Sequence, residues 1–325
     1  MVHDVNSYGE NGSRGVSVDE EASVSPNGFC NGVTINGHAT SEGNRLPHKR
    51  LKWFDELPPV LQYNKYVRSR YRAGYTYSEC ACSIFQYHNE TGNIHTHLLP
   101  AVAVLVLLGF RLIQPWPLAK LAFYEHVGAV VLCLGGSVAY HTLMAHHQDY
   151  HRWLLMDVCG VFALLLSGVH TWMYWGMYCY PWLRSSFIAA YYLSAAGCVV
   201  AGLRARTQVQ RAAPMLALLG VRLASLVTRT ALNSGSQDAV WHYAITEVLS
   251  FAGAMINVLR IPEKWFHDQE AADKGVRKAN PFDCWLNSHQ LMHVLVALAM
   301  LHLHWGAADD YHYFVSHPGQ CSSVH

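Results

Sequence analysis

The sequence predicts an all-α protein: a seven-transmembrane helix bundle with a cytosolic N-terminus and an outside C-terminus. Three observations carry that prediction. Of 325 residues, 51% are apolar and 14% charged, against roughly 25% charged in a soluble domain. The deficit is uneven: residues 1–50 are polar, rich in Gly, Ser, Asn and Glu, whereas apolar runs recur from Leu98 onward every 25 to 40 residues. Lys and Arg, finally, fall on alternate connections between those runs.

Residues 1–50 read as a disordered tail. Asn11-Gly12-Ser13 matches a glycosylation acceptor, which matters only for a lumenal tail. No basic stretch followed by an apolar core opens the chain, so the first membrane segment is expected to act as the insertion signal. Residues 51–94 are expected to be an interfacial amphipathic segment. Leu51, Trp53, Phe54 and Leu57 interleave with Lys52, Asp55 and Glu56, Pro58-Pro59 breaks the pattern, and a stretch rich in Tyr and Arg follows.

A spanning helix needs about 20 apolar residues. Seven segments qualify, at 95–113, 121–144, 153–178, 185–203, 212–232, 239–259 and 286–306, which together make a transmembrane domain over 95–306 followed by a short tail, 307–325. Eight cationic residues between Arg45 and Arg72 precede the first segment. Arg152, then Arg204, Arg206 and Arg211, then five from Arg260 to Lys278 follow the second, fourth and sixth. The odd connections and the C-tail carry only Arg111, Lys120, Arg184 and Arg229. The basic side is the cytosolic one.

A net charge of +1 implies no polyanionic partner, and no zinc-knuckle spacing or basic-aromatic stripe suggests nucleic acid. The nine cysteines are scattered. Those at 133, 159, 179, 198 and 284 are read as free thiols acting as small hydrophobes, and Cys80-Ala81-Cys82 lacks the spacing of a redox or zinc motif.

The polar residues inside the apolar runs point to chemistry. His289 and His293, four apart, share one helix face separated by about 6 Å of rise, so both imidazoles can reach one ion. Ser137 and His141 share a face at the cytosolic end of the second segment, and Asp157 lies about a turn inside the third. Asn89-Glu90-Thr91-Gly92-Asn93-Ile94-His95-Thr96-His97 opens the first segment at the same leaflet. Lys and Arg alone set this topology, yet it brings these groups to one depth, where ionisable residues are costly and functional. Three neutral imidazoles with an open fourth position make a catalytic-type Zn2+ site, and Asp157 is placed to accept a hydrogen bond from water there.

Blander readings stand beside these. His141 alone reads as a hydrogen-bonded core histidine, and His146, His147 and His151 as solvated or interfacial. His302 and His304 belong to the opposite face. Asn89, Glu90 and Asn93 read as caps and anchors of the first helix. Arg222 and Glu247, at matching depths in the fifth and sixth segments, read as a buried ion pair, the alternative being separate polar cavities.

These motifs resemble the progestin and adipoQ receptor family over roughly residues 51–306. The resemblance rests on Asn89-Glu90-x-x-Asn93-Ile94-x-Thr96-His97, Ser137-x-x-x-His141, the Asp157 segment and Ser288-His289-Gln290-Leu291-Met292-His293. Leu61-Gln62-Tyr63-Asn64-Lys65-Tyr66-Val67 and Arg260-Ile261-Pro262-Glu263-Lys264-Trp265 add to it. The family is similar to alkaline ceramidases. The resemblance implies seven helices in the inverted orientation, zinc held by His141, His289 and His293, and a water held or activated by Ser137 and Asp157. It implies hydrolysis of a membrane lipid amide, ceramide to sphingoid base and fatty acid, in the Golgi or plasma membrane. The alternative is a signalling receptor or Golgi scaffold in which the zinc is structural. A haem carrier fits poorly, because His-x-x-x-His on one helix suits a small ion.

Overall fold

The computed structural model describes residues 49–319 and 321. Nearly all of the expected tail, with its glycosylation acceptor, lies outside the described residues. Seven long helices are present: α2 (Thr91–Gly109), α3 (Lys120–Leu143), α4 (Tyr150–Val169), α5 (Pro181–Arg204), α6 (Gln208–Ala231), α7 (Gln237–Leu259) and α9 (Ser288–Ser316). Two short helices, α1 (Tyr77–Cys82) and α8 (Gln269–Asp273), sit in the connections. A π-helical turn, His170–Tyr174, prolongs α4. Seven helical stretches are long and apolar enough to cross a membrane, and no strand is found among the described residues.

Local chemistry sets the boundaries. The side chains of Thr207, Ser236 and Asn287 accept the backbone N–H three residues on, which starts α6, α7 and α9. Pro181 opens α5, where its missing N–H costs nothing. α7 stops at Arg260, whose φ of 58° is left-handed.

Apolar side chains drive no helix association inside lipid, so close backbone approach must do so. α3 meets α4 where a Cβ on Gly160 would lie 2.8 Å from the Cys133 Cα. α2 meets α9 at Gly92, whose added Cβ would lie 2.3 Å from the Gln290 side chain. α7 meets α9 at Gly253 and Gly306, the latter against the Tyr243 ring. α5 lies at the periphery and turns Trp182, Leu193 and Val200 outward.

Residues 49–90 cover one end of the bundle, the end where α2, α4, α6 and α9 begin. Apolar side chains of this segment pack on the bundle: Leu57, Leu61, Val67 and Tyr71 cluster with Tyr140, Met144 and Tyr150. An antiparallel bridge between Lys52 and Tyr71 folds the segment back. Buried Arg72 donates to the carbonyls of His141 and Thr142 at the end of α3.

Two differences appear at the far end. α9 continues ten residues past the expected 306, to Ser316, burying Ala307, Asp310 and Tyr311. Asp310 can lie inside because Arg229 of α6 donates two hydrogen bonds of 2.7 Å to it, and Ser236 N–H a third. Cys179, read as a free thiol, is instead joined in a disulfide to Cys321 across 142 residues.

Candidate metal centre

His141 comes from the last turn of α3, and His289 and His293 from the first two turns of α9. The Asn287 cap and the Gly92–Gln290 contact fix the α9 start against α2. One nitrogen from each of the three rings lies within 4.8 Å of the others, and His141 and His293 are buried.

What holds the far side of each ring decides the chemistry. His141 Nδ1 lies 2.8 Å from Glu90 Oε2. His289 Nδ1 lies 3.2 Å from Asn257 Oδ1. His293 Nδ1 lies 3.2 Å from the Asn93 carbonyl oxygen. His293 Nδ1 also meets the Thr96 hydroxyl at 3.1 Å, which donates to the Gly92 and Asn93 carbonyls and so accepts here. With acceptors on every outer nitrogen, each imidazole in its neutral form carries its proton on Nδ1 and leaves the Nε2 lone pair bare. Two of those lone pairs face each other, His141 Nε2 and His289 Nε2, at 3.2 Å. Between two neutral rings such a contact is repulsive, and a cation between the nitrogens relieves it. Tetrahedral coordination at about 2.0–2.1 Å sets ligand nitrogens about 3.3 Å apart, so this donor set fits a divalent metal.

Glu90 anchors the arrangement. Its carboxylate accepts from Asn89 Nδ2 at 2.7 Å, from Asn93 Nδ2 at 2.6 Å and from the Tyr63 hydroxyl, besides His141. Burial opposes its ionisation, but these donors, His141 first, hold the carboxyl well below the usual range. The cap reading of Asn89, Glu90 and Asn93 is thereby corrected in part. Glu90 occupies the N-cap position just before α2, but its side chain caps no backbone N–H; it orients a candidate ligand. His88 supports Glu90 in turn, since its Nδ1 accepts the Glu90 N–H at 3.1 Å and its Nε2 meets the Ser83 carbonyl at 3.0 Å.

The other expected site residues fall as follows. Ser137 is buried one turn before His141. Asp157 of α4 lies where α3 and α4 touch at Gly136, within electrostatic reach of His141 and within reach of the Ser137 hydroxyl. His97 stacks on His293 at 3.8 Å between ring centroids, 11° from parallel, with neither nitrogen hydrogen-bonded. Arg222 and Glu247 approach to 2.5 Å in the middle of the bundle, without hydrogen-bond alignment, and Arg222 lies over the Trp172 ring. Asn257 was missed, because a lone Asn late in an apolar helix carries no signal of its own.

Fold and site together define a multi-pass membrane protein of seven helices with a three-histidine, metal-competent cluster at one end. The haemolysin-III-related family model matches residues 85–304. The chain is 34% identical over 277 residues to human progestin and adipoQ receptor family member 4, covering 82% of this chain and 94% of that protein. It is likewise 34% identical over 275 residues to the mouse protein of the same name, covering 82% and 94%. Against the Drosophila melanogaster adiponectin receptor protein it is 28% identical, covering 77% of this chain and 57% of that one. The chain belongs to the haemolysin-III-related progestin and adipoQ receptor family.

Proposed function

We propose that this protein is a zinc-dependent hydrolase of a lipid amide, converting a ceramide-type substrate to a sphingoid base and a fatty acid. The observation that carries the reading is the pair of bare Nε2 atoms at 3.2 Å, each ring locked by an oxygen on its other nitrogen. Bound zinc would supply Lewis acidity to the amide carbonyl and to water. His141, His289 and His293 would hold it; Glu90, Asn257 and Asn93 keep their rings aimed. Ser137, buried one turn before His141 and beside Asp157, orients the attacking water. Asp157 takes a proton from that water as its oxygen adds to the amide carbon. The same proton then goes to the amine nitrogen as the C–N bond breaks.

Cytosolic placement of the capped end, and residence in the Golgi or plasma membrane, belong to the same proposal. The Lys and Arg distribution supports the orientation.

A receptor in which the metal is structural is the second reading, favoured by the names of the relatives. Fatty acid release from ceramide by purified, zinc-loaded protein separates the two. Release that disappears in His289→Ala is expected; an unchanged rate in that variant removes the mechanism. A wild type that holds zinc yet releases nothing leaves the receptor reading.

A further inference from the structure

A second pair of imidazoles meets at the other end of the bundle. His242, in the second turn of α7, and His302, in the fourth turn of α9, approach Nδ1 to Nδ1 at 2.9 Å. Asp309 Oδ2 lies 3.6 Å from His242 Nε2. We propose that His242 and His302 form a second divalent transition-metal site, independent of the first and of the hydrolase reading.

The backbone beneath the pair is fixed. Gly306 lets α9 close on the Tyr243 ring, and Thr246 Oγ1 donates to the His242 carbonyl and to Ala299 across the helix interface. The rings therefore meet by construction of the α7–α9 contact. At 3.6 Å the Asp309 carboxylate makes no hydrogen bond, but its negative charge beside Nε2 favours the tautomer with the His242 proton there, which turns the Nδ1 lone pair toward His302. Among the described residues no oxygen fixes the tautomer of His302. It can lend a proton to the contact when no ion is there and give it up when one arrives. The nitrogens then part by about 0.4 Å, to the about 3.3 Å of a tetrahedral ion, a change that ring rotation provides.

Charge and access agree. Asp238 lies close enough to Asp309 to act on it electrostatically, adding a second carboxylate at this level. The His242 side chain keeps 27% of its surface open, so an ion and its remaining waters can reach it. Trp241 and Trp305, both exposed, flank the pair as aromatic residues do at a membrane–water boundary. Imidazole nitrogen with carboxylate nearby selects Zn2+, Cu2+ or Ni2+ over Mg2+ or Ca2+.

Metal content and copper spectroscopy on the full chain test the site. Wild type dialysed against Zn2+ should hold two equivalents, His242→Phe/His302→Phe one, and His289→Ala/His293→Ala one. Cu2+ added to His289→Ala/His293→Ala should give an electron paramagnetic resonance spectrum with two nitrogen couplings, reduced to at most one by adding His302→Gln. A single equivalent in wild type, or two in His242→Phe/His302→Phe, overturns the proposal. If the Phe variants do not fold, the copper spectra with and without His302→Gln decide, and an unchanged spectrum overturns it. Loss of the far-end ion with lipid turnover intact leaves the hydrolase reading standing, so the two can fail separately.

Discussion

The two ends of the bundle both bring histidines together, and they do so in different ways. At the capped end each ring has an oxygen on its outer nitrogen, and two bare nitrogens face across 3.2 Å. At the far end His242 and His302 meet at 2.9 Å with one carboxylate behind one ring. A third pair, His126 and His304, stacks at 5.6 Å beside Trp116 and Phe123, with neither His126 nitrogen hydrogen-bonded. Support behind the ring, more than proximity, separates a ligand set from packed aromatics. The ends also differ in what closes them. The folded segment 49–90 covers the first, while an ion pair and a disulfide fasten the second.

The comparison is most sharply broken by Arg229→Met. It strands the buried Asp310 carboxylate and should cost about 3–5 kcal/mol, read as a lowered melting temperature, while metal content at the capped end stays at the wild-type level. Adding Asp310→Leu should recover most of the loss. A wild-type melting temperature in the single variant would show that the pair does not fasten the far end.

Glu90→Gln probes the opposite end. It keeps the shape but weakens the acceptor behind His141, and should lower metal affinity by about 10–100-fold, measured by competition with a chromogenic chelator. Thermal stability of the far end should hardly move. Unchanged affinity would reduce Glu90 to an anchor of α2.

The smallest effect is a slope. Burial first, and the Arg72 charge second, push His88 down from 6.5 to about 3. The unfolded chain therefore binds a proton below about pH 6.5 that the folded one refuses. Stability should fall by about 1.4 kcal/mol per pH unit as pH drops through that window. In His88→Asn that share of the slope should vanish from melting curves taken between pH 6.5 and 5. The same slope in both proteins would free His88 of this role.

The helices were legible because lipid demands long apolar runs and the His-x-x-x-His spacing is local. The supports were not. Glu90 precedes a helix and so looks like a cap, while its partners Tyr63 and His141 are 27 and 51 residues away. The extension of α9 was hidden because Asp309-Asp310 reads as a terminus until Arg229, 81 residues earlier, is seen to neutralise one of them. The Cys179–Cys321 bond spans 142 residues and leaves no local trace.

The length of α9 has a consequence for the lipid around it. Its 29 residues rise about 44 Å, while a hydrocarbon slab is about 30 Å thick. The rod must lean or protrude, and a thicker or thinner bilayer changes how far. His289 and His293 ride on its first two turns, whereas His141 rides on another helix. The tilt of one rod therefore sets the angle at which two imidazoles meet the third.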